Sequence, residues 1–129
     1  MEKVTGIGGF FFRAHDQAAL RHWYNTHLGI DPTPTDYESP CWRSGGGATV
    51  FEPFAHDTGY FGAPQNQWMI NFRVRDLDAM MAQLNAAGIE VSFEGDEPNG
   101  RFALLSDPEG NRIQLWQPIG NSAEMEEKP

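Results

Sequence analysis

Phe12-Arg13-Ala14-His15-Asp16 and Phe72-Arg73-Val74-Arg75-Asp76 are near-copies of one segment, and their shared setting decides the fold. Each closes an apolar run, precedes a helical pattern, and is followed by a glycine stop, Leu28-Gly29-Ile30 in the first copy and Ala87-Gly88-Ile89 in the second. The repeat is too long for a solenoid unit, and two copies are too few for an array. It reads as two βα modules that enclose a space between them. At 129 residues the chain has room for one domain with a shared core, not for two independent ones.

Outward from the first copy, Val4 to Ala14 is rich in Phe and Ile and predicts a strand. Asp16 suits an N-cap, Leu20, Trp23, Tyr24 and Leu28 share one helical face, and Gly29 suits the residue just past the helix end. Pro32 and Pro34 argue against helix beyond it. Cys41-Trp42-Arg43, turned by Gly45-Gly46-Gly47, leads to a strand at Ala48 to Glu52. Residues 55–66 carry two glycines and a proline without a sustained period, which predicts the connection between modules.

The second module repeats the plan. Trp68 to Val74 predicts a strand, Asp76 caps a helix with the stripe Leu77, Met80, Met81, Leu84 and Ala87, and Gly88 ends it. Strands are predicted at Glu90 to Phe93, Arg101 to Leu105 and Arg112 to Trp116. The last two are joined by Asp107-Pro108-Glu109-Gly110-Asn111, whose Pro and Gly positions favour a type I turn. The expected architecture is α+β, a single domain over residues 1–118 made of βαβββ modules at 1–54 and 67–118, with 55–66 as linker and 119–129 as a flexible acidic tail.

Alternation assigns faces, because successive strand side chains point to opposite sides. Phe10, Phe12 and Ala14, with their counterparts Ile70, Phe72 and Val74, form an apolar set expected beneath the helices. The opposite set mixes Gly9, Phe11 and Arg13 with Met69, Asn71 and Arg73, and is joined by Arg112, Gln114 and Trp116 and by Glu52. A solvent-facing sheet would also be polar outside. Matching positions brought together by the repeat, with Trp and Phe among the charges, favour a concave ligand-competent face.

Composition excludes other classes. Nine Lys and Arg against a net charge of −9 argue against nucleic acid, whose phosphates need clustered cations. No apolar run approaches a membrane span, and Met1-Glu2-Lys3-Val4 lacks the marks of a secretory leader, so a soluble cytoplasmic protein is expected. Cys41 is the single cysteine, fits a reducing compartment, and has no His placed by sequence to activate it. His22 and His27 are not the i, i+4 pair that shares a helix face for metal binding, and His15 and His56 fall beside a cap and in a loop. No phosphate-binding loop or nucleophile-elbow pattern occurs.

With these residues in place the chain resembles the vicinal oxygen chelate superfamily, which includes glyoxalase I, extradiol dioxygenases, and fosfomycin and bleomycin resistance proteins. The resemblance rests on the paired βαβββ order, on Trp23-Tyr24-Asn25-Thr26-His27-Leu28-Gly29, on Asn71-Phe72-Arg73-Val74-Arg75-Asp76-Leu77-Asp78, and above all on Asp107-Pro108-Glu109-Gly110-Asn111-Arg112-Ile113-Gln114-Leu115-Trp116. It implies the glyoxalase/bleomycin resistance/dioxygenase fold without fixing an activity.

In metal-dependent members four strands each supply one ligand. The resemblance places Gly9, Glu52, Met69 and Gln114 at those positions, which leaves Glu52 and Gln114 as at most a weak divalent site and predicts no tightly bound metal. Arg13 matches a strand arginine that some members use for an anionic part of the substrate, and Arg73 is its repeat; Glu52 is a candidate partner for one of them, and the alternative pairs each with the capping Asp three residues on, Arg13 with Asp16 and Arg73 with Asp76. Phe11, Trp42 and Trp116, with Trp68 and Phe54, are candidate flat walls for a planar ligand. Glu52 is the candidate general base.

The expected ligand-binding set is therefore Phe11, Arg13, Trp42, Asn71, Arg73, Gln114 and Trp116. The expected function is binding of a small organic ligand by a homodimer, as in antibiotic-sequestering relatives. The alternative is a metal-dependent lyase, isomerase or dioxygenase whose ion enters through Glu52 and Gln114.

Overall fold

The computed structural model describes residues 1–120. Its elements are α1 (Gln17–Leu28), β1 (Ile70–Arg73), α2 (Leu77–Ala86), β2 (Ser92–Glu97), β3 (Gly100–Ser106) and β4 (Arg112–Pro118). The acidic stretch expected at 119–129 lies outside the described residues beyond Gly120.

Both helices are closed by the chemistry that the repeat carries. The Asp16 side chain accepts the Ala19 N–H at 3.0 Å and the Asp76 side chain accepts the Ala79 N–H at 3.0 Å, each satisfying a backbone donor that the first turn leaves open. Past the ends, Gly29 (φ 72°) and Gly88 (φ 79°) take the left-handed conformation that lets the chain reverse. Ile30 and Ile89 then return their N–H groups to Tyr24 and Leu84 carbonyls.

The sheet runs β1-β4-β3-β2, with β1 parallel to β4 and the other neighbours antiparallel. Ile113 and Leu115 of β4 alternate onto the helix side, where they meet Ala103 and Leu105 of β3, Leu77 and Leu84 of α2, and Leu20 and Tyr24 of α1. Leu77, Leu84, Ile113 and Leu115 are fully buried, and each contributes roughly 1.5–3 kcal/mol by leaving water. A helix from the first half thus completes the core of the second.

The face assignment holds on both copies. Tyr24 receives the edge of Phe12 at 6.1 Å and of Phe72 at 6.4 Å, so the equivalent phenylalanines of the repeat flank one ring on the helix side. Phe10 and Phe12 also pack against Trp68, at 4.7 and 5.5 Å, which sets the first copy beside the second.

The strands expected in the first half do not form a ladder. Residues 4–14, 41–43 and 48–52 have no strand pairing, and Val4, Phe11, Val50 and Phe51 are largely exposed. Gly6, Gly8 and Gly9 and the run Gly45-Gly46-Gly47 explain part of this, since glycine contributes no packing surface and loses the most freedom when ordered in a strand. The strand expected at Glu90 to Phe93 instead occupies Ser92–Glu97, because Ile89 is used to close α2 and a bulge between Phe93 and Gly95 carries the pairing onward.

The turn at residues 107–111 ties the halves together. Gly110 N–H closes it on the Asp107 carbonyl at 3.0 Å, as a type I turn requires. The Asp107 side chain, 5% exposed, accepts the Glu109 and Asn111 backbone N–H groups, the Asn111 side-chain amide and the Tyr24 hydroxyl. Glu109 accepts the His15 N–H at 2.6 Å and the Asp16 N–H at 2.8 Å, immediately before α1.

Candidate functional site

The face of the sheet opposite the helices carries the candidate site. Parallel register puts Asn71 of β1 beside Gln114 of β4. Asn71 Nδ2 donates to Gln114 Oε1 at 2.7 Å, and Gln114 Nε2 donates to the Tyr60 hydroxyl at 3.1 Å. Two amides and a phenol thus form one neutral chain across the sheet face.

Tyr60 belongs to the connection 55–66, which folds onto this face instead of passing over solvent. Three reverse turns shape it, through Thr58 N–H to Ala55 O, Gly62 N–H to Gly59 O, and Asn66 N–H to Ala63 O. Asn66 Nδ2 donates to the Phe61 and Gly110 carbonyls, pinning the connection to the closing turn, and Arg112 donates to the Tyr60 carbonyl at 3.4 Å. The Phe54 ring stacks with Tyr60 at 6.2 Å and 18° between planes. Sequence reading missed Tyr60. A Tyr-Phe pair set between Gly59 and Gly62, in a segment otherwise poor in apolar residues, is the signal that marks it, since scattered turn residues around aromatics point to a packed loop.

The other expected site residues fall in three places. Arg73 and Trp42 share with Asn71 a cavity of about 190 Å³ at the free edge of β1. There Arg73 donates to the Gly45 and Ala48 carbonyls, each at 2.6 Å, and so holds the glycine loop of the first half against the sheet. Trp116 lies on the same face as Gln114 but is only 3% exposed; its ring stacks on Phe102 at 6.1 Å and its Nε1 donates to the Asn99 carbonyl at 3.0 Å. It forms the floor beside the site. Phe11, Arg13 and Glu52 are exposed, and Arg13 and Glu52 make no hydrogen bond or ion pair among the described residues.

A wider depression of about 550 Å³ opens near the start of β2, between Trp23, Glu90, Glu94, Ser106 and Arg112. Its serines and glutamates are exposed and converge on no shared hydrogen bond. The smaller cavity is walled otherwise by helix-side residues such as Leu28, Phe72, Met80 and Leu115, and shares Asn71 with the neutral chain; the chain, where polar groups do converge, is the better match to a ligand site.

Of the four positions that the resemblance assigns to metal ligands, only Glu52 offers a free hard donor, and it is exposed. Gly9 offers no donor, and a Cβ built on it would meet the Phe11 ring at 2.9 Å. Met69 offers only a thioether, and both ends of the Gln114 amide are engaged by Asn71 and Tyr60. Among the described residues no three His, Cys, Asp or Glu side chains are grouped to hold a metal.

Sheet order, the helix-to-turn tether and the closing 107–116 element together define a class. The chain belongs to the glyoxalase-like domain family of the vicinal oxygen chelate superfamily, the family model matching residues 9–116. Among proteins with similar sequences, the anthracycline biosynthesis protein DnrV of Streptomyces peucetius is 34% identical over 98 residues, which cover 71% of this chain and 34% of DnrV. CFP32 of Mycobacterium tuberculosis is 46% identical over 59 residues, 44% of this chain and 22% of that protein. The chain therefore spans well under half the length of these relatives.

Among solved structures, the antibiotic-binding protein TnmS3 from Streptomyces sp. CB03234 matches with a TM-score of 0.61 at 23% identity, covering 92% of this chain and 100% of that one. A glyoxalase family protein from Bacillus anthracis matches at 0.57 with 21% identity, covering 91% and 100%. These likenesses show the fold. No helix among the described residues is long and apolar enough to cross a membrane.

Proposed function

We propose that the protein binds a small organic molecule on the mixed face of the sheet, in the cleft where the first half and the 55–66 connection meet β1 and β4, without a tightly bound metal. The observation that carries this reading is the neutral Asn71–Gln114–Tyr60 chain beside the Phe54 ring. It combines an apolar wall with a few fixed polar groups, as small-molecule sites do. Kinship with DnrV, named for anthracycline biosynthesis, supports an organic ligand over a macromolecular one.

We also propose a cytoplasmic homodimer, in which a second copy covers the apolar side chains that Val4, Phe11, Val50 and Phe51 leave exposed. Sedimentation at twice the chain mass is the expected result.

A thermal-shift panel of flat organic molecules, small anions and divalent metals tests the binding reading. An organic ligand is expected to raise the melting temperature of the wild type, and Gln114→Ala to remove that response. Specific stabilisation by a divalent metal that Glu52→Ala abolishes would overturn it in favour of a metal-dependent enzyme.

A further inference from the structure

We infer that Tyr60 is the specificity-determining residue of this cleft, donating its hydroxyl hydrogen to a carbonyl-class acceptor oxygen on a flat conjugated ligand. The inference rests on the binding reading above and adds the group that selects the ligand.

The direction of the hydrogen-bond chain carries it. Asn71 donates to Gln114 Oε1, which leaves Gln114 Nε2 to donate, and the Tyr60 oxygen receives it. A phenol has one hydrogen to give as well as lone pairs to accept with. Tyr60 therefore ends the chain with its own hydrogen, and no acceptor for it exists among the described residues. Each upstream donation polarises the next group, so the terminal hydroxyl is a strengthened neutral donor.

The hydroxyl is also held in place. Tyr60 N–H donates to Thr58 Oγ1 at 3.2 Å, its carbonyl accepts from Arg112, and the neighbouring residues are fixed through Asn66 to the closing turn. A half-buried donor on an anchored backbone is set before the ligand arrives, which lowers the ordering cost of binding. Phe54 gives the ligand its plane. Its ring is 47% exposed and lies within 18° of the Tyr60 ring plane, so Phe54 offers a flat apolar wall next to the tyrosine that carries the hydroxyl. A ligand without an acceptor at that edge would strip water from the hydroxyl and return nothing, which is how a polar group in a dry site discriminates.

The pair 9-fluorenone and fluorene tests this, since the two are flat tricycles that differ by one carbonyl. With the wild-type protein, fluorenone is expected to bind about five- to tenfold more tightly than fluorene, and Tyr60→Phe to erase that preference by weakening fluorenone and tightening fluorene. Phe54→Ala is expected to weaken both probes. If Tyr60→Phe keeps the preference while Phe54→Ala and Gln114→Ala weaken both probes, the cleft is right and Tyr60 is not its selector. If neither probe binds, or neither Phe54→Ala nor Gln114→Ala changes affinity, the inference and the binding reading beneath it both fail.

Discussion

Tyr24, on the helix of the first half, donates a 2.7 Å hydrogen bond to Asp107 Oδ2 in the turn that closes the second. The bond is buried and spans the two repeats, so it ties the first half's helix to the second half's closing turn. Tyr24→Phe keeps the ring contacts with Phe12 and Phe72 and removes only the hydroxyl. Because the acceptor is a carboxylate, the variant is expected to lose about 1.5–3 kcal/mol of stability in urea unfolding. Asp107→Asn should cost more, since its amide hydrogens would face groups that already donate. Burial first, and then donation to Asp107, push the Tyr24 phenol well above the ordinary tyrosine range. A raised folded value means this stability is present below the unfolded pKa of ~10 and is lost as pH climbs beyond it, so Tyr24→Phe should flatten the alkaline limb of a stability profile.

Glu109 gives the opposite pH signature. The backbone N–H of Asp16, then that of His15, hold its carboxyl below the usual range. A depressed folded value stabilises the fold above the unfolded pKa of ~4.3, and that contribution disappears as pH falls through the lower folded value. Glu109→Gln is expected to melt earlier at neutral pH and to show a shallower acid limb than wild type. Equal acid limbs in the two proteins would show that the tether is spectator geometry.

Local chemistry was legible in the sequence, and distant pairing was not. Asp16, Asp76, Gly29 and Gly88 each act on residues a few positions away, so the helix ends follow from the text alone. The alternation that sends Ile113 and Leu115 inward and Gln114 outward is likewise a short-range property of one strand. Ladder formation at residues 4–14 and 48–52 depends on a partner that no local pattern names, and glycines interrupt the first stretch and immediately precede the second. At the site, Asn71 and Gln114 were readable as members of one face because alternation is local, while their side-by-side pairing was not. Tyr60 was not, because its seat depends on Asn66 reaching Gly110 across the fold. Nor was the burial of Trp116, which depends on the Asn99 carbonyl.

That burial rests also on Gly100, which is itself buried. A Cβ there would collide with the Trp116 indole and with the Gln117 carbonyl, and neither the floor of the sheet nor the backbone has room to shift. Gly100→Ala is expected to cost roughly 1–3 kcal/mol, the scale of overpacking, and to shift tryptophan emission to the red as the indole loses its Asn99 partner. Gly59→Ala meets no atom within 4 Å of the added carbon and serves as the neutral control.

Arg73 separates a structural role from a ligand-binding one. Its two nitrogens grip the Gly45 and Ala48 carbonyls, and a guanidinium can hold two diverging acceptors where an ammonium presents one point of charge. Both Arg73→Ala and Arg73→Lys are therefore expected to speed amide exchange across residues 44–48, with the lysine variant closer to wild type. The glycine loop borders the cavity beside Asn71, so its release should weaken ligand binding through disorder of the wall, seen as faster dissociation with little change in association. Loss of an anionic ligand's thermal shift in Arg73→Ala, with exchange at 44–48 unchanged, would instead assign the arginine to the ligand itself and return Arg13 to consideration as its partner.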